Sequence, residues 1–193
     1  MANPPKILAF AGSAREASWN KKLVKIAAAG AKAAGAEVTY IDLRDFPMPI
    51  FDEDLEAKGL PENVLKIKAL MKEHQGLLIA CPEYNSSISP LLKNTIDWVS
   101  RPDPETSSAI ATYYKDKVAA IMSTSPGALG GLRGLVHVRA ILGNIGVIVL
   151  PDQKAIPKAF EAFDSEGQLK DPKQQQAIEA LGRKVAEVIS KLN

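Results

Sequence analysis

Three short stretches place hydrogen-bonding side chains directly after apolar runs, and they carry most of the chemistry this chain could do. Gly12-Ser13-Ala14-Arg15-Glu16-Ala17-Ser18-Trp19-Asn20 follows the run 5–11, Pro82-Glu83-Tyr84-Asn85 follows 77–81, and Ser123-Thr124-Ser125-Pro126-Gly127 follows 117–122. In the first, a glycine turn leads past Ser13, Arg15, Ser18 and Asn20 into a helical pattern. Main-chain N–H groups at a helix start, two hydroxyls, an amide and a guanidinium are what a phosphate requires. The same residues also allow a plainer reading, a helix start in which Ser13 and Glu16 form a capping box. The second stretch sets a carboxylate, a phenol and an amide side by side, which suits a flat, hydrogen-bonding aromatic ligand. The third combines the hydroxyls of Ser123 and Ser125 with Gly127, and glycine lets a ligand approach the main chain closely.

Other chemistries lack their residues. His74 and His137 are far apart and no Cys/His cluster exists, so no metal site is expected. The acidic run Asp52, Glu53, Asp54 and Glu56 reads as a solvated face. Cys81, the sole cysteine, lies inside an apolar run and reads as a small buried hydrophobe; it excludes an internal disulfide and suits a reducing cytosol. No G-x-G-x-x-G follows the first apolar run and no G-x-x-x-x-G-K-[ST] occurs, which argues against a dinucleotide-type Rossmann domain and a P-loop NTPase.

The elements that must position these stretches follow from periodicity. Runs 5–11, 77–81 and 117–122 are continuously apolar, as expected of parallel strands buried on both faces. Shorter strands are expected at 37–42 and at 146–150, the latter stopped by Pro151. Helical spacing runs through Leu23, Val24, Ile26, Ala27 and Ala31 to Gly35, over 61–75 with Gly76 as its end, and over 132–142. Two starts are marked by an N-cap followed by proline, Ser89-Pro90 and Asp171-Pro172. Segment 43–51, broken by Pro47 and Pro49, is expected to cross in extended form with Phe46, Met48, Ile50 and Phe51 over the core edge. A hairpin-like turn is expected at 164–167. In the helix after Pro90, Leu91, Leu92, Thr95, Ile96, Trp98 and Val99 cover more than one stripe, which suits either a partner subunit on its second side or a helix wedged deeply in one domain.

With 193 residues, 46% of them apolar and 24% charged, the chain is expected to form one domain spanning 1–193. A net charge of +2 gives no argument for nucleic acid, and no export signal or membrane span is expected. Alternating strands and helices predict an α/β fold with a five-stranded parallel sheet in flavodoxin-like order 2-1-3-4-5 and helices on both faces. In that order the ends of strands one, three and four are neighbours, so the three polar stretches would meet at the switch point. A phosphate loop, a planar-ligand loop and a glycine loop together match a phosphorylated aromatic cofactor such as FMN.

The motifs Gly12-Ser13-x-Arg15-x-x-Ser18-x-Asn20, Pro82-Glu83-Tyr84-Asn85 and Leu92-Lys93-Asn94-x-Ile96-Asp97-Trp98 resemble those of the NAD(P)H-dependent FMN reductases of flavodoxin-like fold, nearest their quinone, azo and chromate reductase branch. The resemblance covers nearly the whole chain. It implies that Ser13, Arg15, Ser18 and Asn20 hold the FMN phosphate, that Pro82, Glu83, Tyr84 and Asn85 lie along the isoalloxazine and ribityl, and that Ser123, Ser125 and Gly127 contact the far edge of the ring. It further implies electron transfer from NADPH or NADH through FMN N5 to quinones, chromate, azo compounds or similar acceptors, with no catalytic side chain. A cytoplasmic homodimer or homotetramer is implied as well. Arg101 is a candidate for anionic substrates across a subunit boundary; its simpler role is that of a cation at a helix C-terminus. The competing reading is a flavodoxin-type electron carrier without its own NAD(P)H oxidation. A response-regulator receiver ranks last, because Pro82-Glu83 stands where such a domain needs an aspartate.

Overall fold

A computed structural model describes residues 3–103 and 109–192. In chain order these form β1 (Lys6–Ala11), α1 (Trp19–Ala33), β2 (Glu37–Tyr40), a 3-10 turn (Leu43–Asp45), α2 (Glu53–Glu56), α3 (Glu62–Glu73), β3 (Gly76–Ala80), β4 (Glu83–Tyr84), β5 (Ser87–Ile88), α4 (Pro90–Ser100), β6 (Val118–Thr124), α5 (Leu132–Asn144), β7 (Ile148–Ile156), α6 (Ala159–Ala162) and α7 (Pro172–Leu192). The main sheet is parallel in the order β2-β1-β3-β6-β7. With the small hairpin β4/β5 set aside, this is the expected order 2-1-3-4-5.

Neighbouring strand residues point to opposite faces, and both faces are covered. Ile7, Ala9 and Leu78 pack under α1 and α7, while Leu8, Phe10, Leu77 and Ile79 pack under α3, α4 and α5. Double coverage explains the unbroken apolar runs. Helices α1 and α7 cross almost backbone to backbone. A methyl group at Gly30 would lie 2.0 Å from the Glu179 carbonyl oxygen, and one at Gly182 would lie 1.8 Å from that of Ala27. Among the described residues no helix is long and apolar enough to cross a membrane.

Several elements depart from expectation for identifiable reasons. Gly76 does not end α3; it opens β3, where a side chain would strike Ile189, Val185 and Ile7. Pro151 does not stop the last strand. On this edge strand Val149 pairs with Ala119 and Gln153 with Ile121, so four steps on β7 match two on β6, and the proline sits in the resulting bulge. Arg139 of α5 donates to the Leu150 carbonyl at 2.8 Å and to Gln153 Oε1 at 3.0 Å, holding the bulge in place. The second apolar side of α4 is covered by this chain's own segment 47–51. Trp98 Nε1 donates to the Pro49 carbonyl at 2.8 Å, and the Phe51 ring lies edge-on to Trp98 at 5.0 Å. That helix is therefore wedged within the domain and carries no argument for a partner. Phe46 and Met48 cover the core edge as expected, but Ile50 is 85% exposed.

Candidate functional site

The three polar stretches meet at the C-terminal edge of the sheet; the first is hydrogen-bonded to the third, and both are hydrogen-bonded to residues flanking the second. Gly12 N–H donates to the Ala80 carbonyl at 2.9 Å, and the Ser89 hydroxyl, which caps α4, donates to the Gly12 carbonyl at 2.5 Å. The Asn20 amide grips both main-chain groups of Thr124, donating to its carbonyl at 2.9 Å and accepting from its N–H at 3.1 Å. The Ser123 hydroxyl donates to the Cys81 carbonyl at 2.5 Å. Between them lies a shallow cavity of about 150 Å³ lined by Ser13, Arg15, Ser18, Trp19, Asn20, Pro82, Glu83, Tyr84, Thr124, Ser125 and Pro126.

At the α1 end of this cavity Ser18 holds the N-cap position, yet its side chain makes no capping bond, and Lys22 N–H is the first to reach back to the Ser18 carbonyl. Among the described residues the N–H groups at the start of α1 thus have no side-chain partner and are left as open donors. The capping box of Ser13 with Glu16 does not form: Ser13 Oγ accepts from Arg15 N–H at 3.3 Å, and Glu16 lies 3.5 Å from Arg44. The Arg15 guanidinium makes no hydrogen bond among the described residues. Trp19 lines the same end, stacked on Phe163 with ring centroids 5.1 Å apart, and its buried indole N–H has no partner among the described residues.

The second stretch, expected as a loop, is a hairpin. Glu83 pairs with Ile88 and Tyr84 with Ser87, and the turn places Asn85 (φ +49) and Ser86 (φ +67) in the left-handed region, as a two-residue hairpin of primed type demands. Tyr84 is 53% exposed at its tip. Glu83 points across to α5, whose N-cap is Gly131 and so offers no capping side chain. Glu83 Oε2 accepts from Arg133 N–H at 3.0 Å and Gly134 N–H at 3.3 Å, while Oε1 accepts from Arg133 Nε at 2.9 Å and lies 2.6 Å from Nη2. The carboxylate therefore caps α5 from another part of the chain. Burial works to raise its pKa, but the Arg133 guanidinium and the Gly134 and Arg133 N–H groups outweigh burial and hold it below the usual carboxylate range.

Several candidate residues stand outside the cavity lining. Ser123 is wholly buried with its hydroxyl engaged beneath the site, because Gly131, at φ +89, packs where any side chain would lie 1.9 Å from Ser123 Oγ. Asn85 and Gly127 lie outside the cavity lining. Arg101 stands at the far end of α4, roughly 18 Å of helix below Ser89, with its guanidinium on Glu56 at 2.7 Å and over the Phe51 ring. It is committed at the opposite end of the sheet. Trp19, Thr124 and Pro126 line the cavity without having been singled out, although each stands inside a quoted stretch. Arg133 had no sequence signal, since its partner lies fifty positions away.

Comparison with known proteins agrees with this geometry. A sequence model of the family described as NADPH-dependent FMN reductase matches residues 5–161. The chain is 33% identical over 180 residues to an NAD(P)H-dependent FMN reductase of Pseudomonas aeruginosa, covering 93% of this chain and 92% of that one. It is 34% identical over 182 residues to the NAD(P)H:quinone oxidoreductase of Solanum tuberosum, covering 91% and 88%. Among solved structures, FerB, a flavoenzyme NAD(P)H:(acceptor) oxidoreductase from Paracoccus denitrificans, superposes with a TM-score of 0.80 at 28% identity over 97% of this chain and 98% of that one. An archaeal flavodoxin shares the fold with a TM-score of 0.65 at 13% identity.

Proposed function

The chain belongs to the NADPH-dependent FMN reductase family, and from that premise we propose that it binds FMN in the cavity between Ser13 and Pro126, oxidises NADPH or NADH there, and passes the electrons to small acceptors of the quinone type. It is an NAD(P)H-dependent oxidoreductase with FMN as cofactor. The observation that carries the placement is the uncapped start of α1 beside the Arg15 guanidinium, unpaired among the described residues, and the hydroxyls of Ser13 and Ser18.

The donor set fits a phosphate in number and kind. Main-chain N–H groups of α1, two hydroxyls and a guanidinium are all donors, and no carboxylate of the cavity points among them, since Glu83 is turned to Arg133 and α5. The Asn20 amide contributes by holding Thr124, which keeps the wall of the third stretch against the first. Pro82 and Tyr84 supply a rigid apolar side for a planar ring. Bound FMN would supply the hydride-accepting centre. The side chains of the cavity then bind and orient, and no proton donor among them is required. Pairing of Glu83 with Arg133 keeps an unneutralised carboxylate away from a ligand that becomes negative on reduction.

Quinones are the favoured acceptor class, by kinship with quinone reductases from plants and bacteria; chromate and azo compounds belong to the same proposal. Assembly as a homodimer or homotetramer is part of it too, supported by exposed apolar residues Tyr84, Leu129, Leu132 and Val136 near the cavity. Kinship favours this over a flavodoxin-type carrier. The deciding experiment is a visible spectrum of the purified protein, taken before and after anaerobic NADPH or NADH. An enzyme bleaches its flavin band without a partner protein, whereas a carrier does not. Arg15→Ala apoprotein is expected to bind FMN about tenfold more weakly. A colourless protein that takes up no FMN refutes the proposal.

A further inference from the structure

We infer that His137 is a positioning residue: it holds the hairpin tip that presents Tyr84 to the cavity, in place of the glycine such a turn normally carries. The inference rests on the FMN reading above, in which Pro82 and Tyr84 form the apolar side for the ring. Tyr84 lines the cavity and is 53% exposed, so its place depends on the backbone that carries it. That backbone is a hairpin of two residue pairs, Glu83 with Ile88 and Tyr84 with Ser87. A hairpin so short does not hold its shape alone in water. Its turn adds strain. Asn85 and Ser86 stand at φ +49 and φ +67, and while asparagine visits this left-handed region readily, serine does so at a cost that glycine would not incur. An Asn-Gly pair is the usual solution to such a turn.

The two pairs are anchored unequally. The inner pair is fixed on both strands, Glu83 by its bonds to the N–H groups of Arg133 and Gly134, and Ile88 by burial beside Ser89, whose hydroxyl is tied to Gly12. The outer pair has a single side-chain anchor. Ser87 Oγ is hydrogen-bonded to His137 Nδ1 at 2.9 Å, and the side chains of Tyr84, Asn85 and Ser86 make no hydrogen bond among the described residues.

His137 follows Arg133 by four positions and Gly134 by three, so one stripe of α5 holds both pairs. Gly134 lets the hairpin lie close against that stripe: a methyl group there would meet the Ser87 carbonyl oxygen at 3.2 Å. Because Ser87 is the cross-strand partner of Tyr84, the bond from His137 sets where the phenol ring stands at the cavity. Without it the strain of the turn acts on the outer pair unopposed. The phosphate end of the site is built from the first stretch and does not depend on this bond.

The test is a cycle of His137→Ala, Ser86→Gly and the two combined. In the protein without FMN, hydrogen exchange over 83–88 should quicken about fivefold in His137→Ala, the size of one modest hydrogen bond, while exchange in β6 stays as it was. Affinities for FMN and for riboflavin, followed by flavin fluorescence, should both fall about fivefold, so that their ratio, which reports the phosphate end, is unchanged. Ser86→Gly alone should alter neither affinity. Added to His137→Ala it should restore both to within about twofold, because glycine removes the strain that the bond opposes. A histidine that merely steadied α5 would not be rescued by a glycine in the turn. Unchanged exchange and affinity in His137→Ala overturn the inference, as does a loss that Ser86→Gly fails to reverse. A parent protein that binds neither flavin refutes the FMN reading instead, and the exchange measurement still decides whether His137 holds the hairpin.

Discussion

Replacing Glu83 by glutamine tests whether one carboxylate joins two walls of the cavity. The side chain keeps its shape and loses its charge, so that an amide NH2 must face either the Arg133 guanidinium or the N–H groups of Arg133 and Gly134, all of them donors. Hydrogen bonds to a charged group contribute about 1.5 to 3 kcal/mol each when well buried. The Arg133 side chain is 57% exposed, so its share is reduced by solvent, whereas the Glu83 side chain is only 9% exposed. Loss of a helix cap adds about 1 kcal/mol. We expect Glu83→Gln to lower stability by about 2 kcal/mol, which for a domain of this size lowers Tm by roughly 4 to 8 °C. The effect depends on pH. The folded-state pKa of Glu83 is held below its unfolded value, so its contribution is complete above the unfolded value and is lost as pH falls through the folded one. Melting curves of both proteins without FMN, from pH 7 down to pH 3, should therefore converge at the acid end. A constant Tm difference across that range, or none at pH 7, refutes the capping argument.

Two further substitutions address other parts of the site's support. Asn20→Ala removes both bonds to the Thr124 main chain and leaves a buried N–H and carbonyl unpaired; it should cost about 2 kcal/mol in urea unfolding and weaken FMN uptake, and unchanged FMN affinity would show that the wall stands without it. Lys117, whose ammonium donates to the His74 carbonyl, has its pKa pushed down to about 8 by burial, below its ordinary 10.5. Between those values the unfolded chain holds a proton the folded protein has lost, so stability from this group rises with pH across the window and its full penalty applies below pH 8. Lys117→Met should be more stable by about 1 kcal/mol at pH 7, with the advantage fading towards pH 10.5; a variant less stable at pH 7 contradicts this.

Where the chain announces its structure, local chemistry is decisive. The runs that became β1, β3 and β6 are apolar because both faces of the sheet are covered, and Ser89-Pro90 and Asp171-Pro172 start α4 and α7 through contacts made within a few residues. The strand order, and with it the meeting of the three polar stretches, follows from those runs. The features that escaped depend on distant partners. Nothing near Ser123 says that its hydroxyl is turned inward; that follows from Gly131 pressing on it. Asn85-Ser86 lacks the glycine that usually signals a two-residue turn, and the hairpin forms because Glu83 and Ser87 are both held to α5, the latter through His137. Pro151 could be passed by the last strand only because that strand has one free edge and a bulge fastened by Arg139.

The close crossing at Gly30 and Gly182 bears on how the protein is made. Every segment that would touch a ligand precedes α7 in the chain, yet the helix presenting the first of them rests on the sheet with one flank uncovered until α7 lies against it. During synthesis the prosthetic group would meet an unsteady cradle, and capture should await the final helix. A shortened form ending before Gly182 is thus expected to come out pale even though it still encodes every cavity residue.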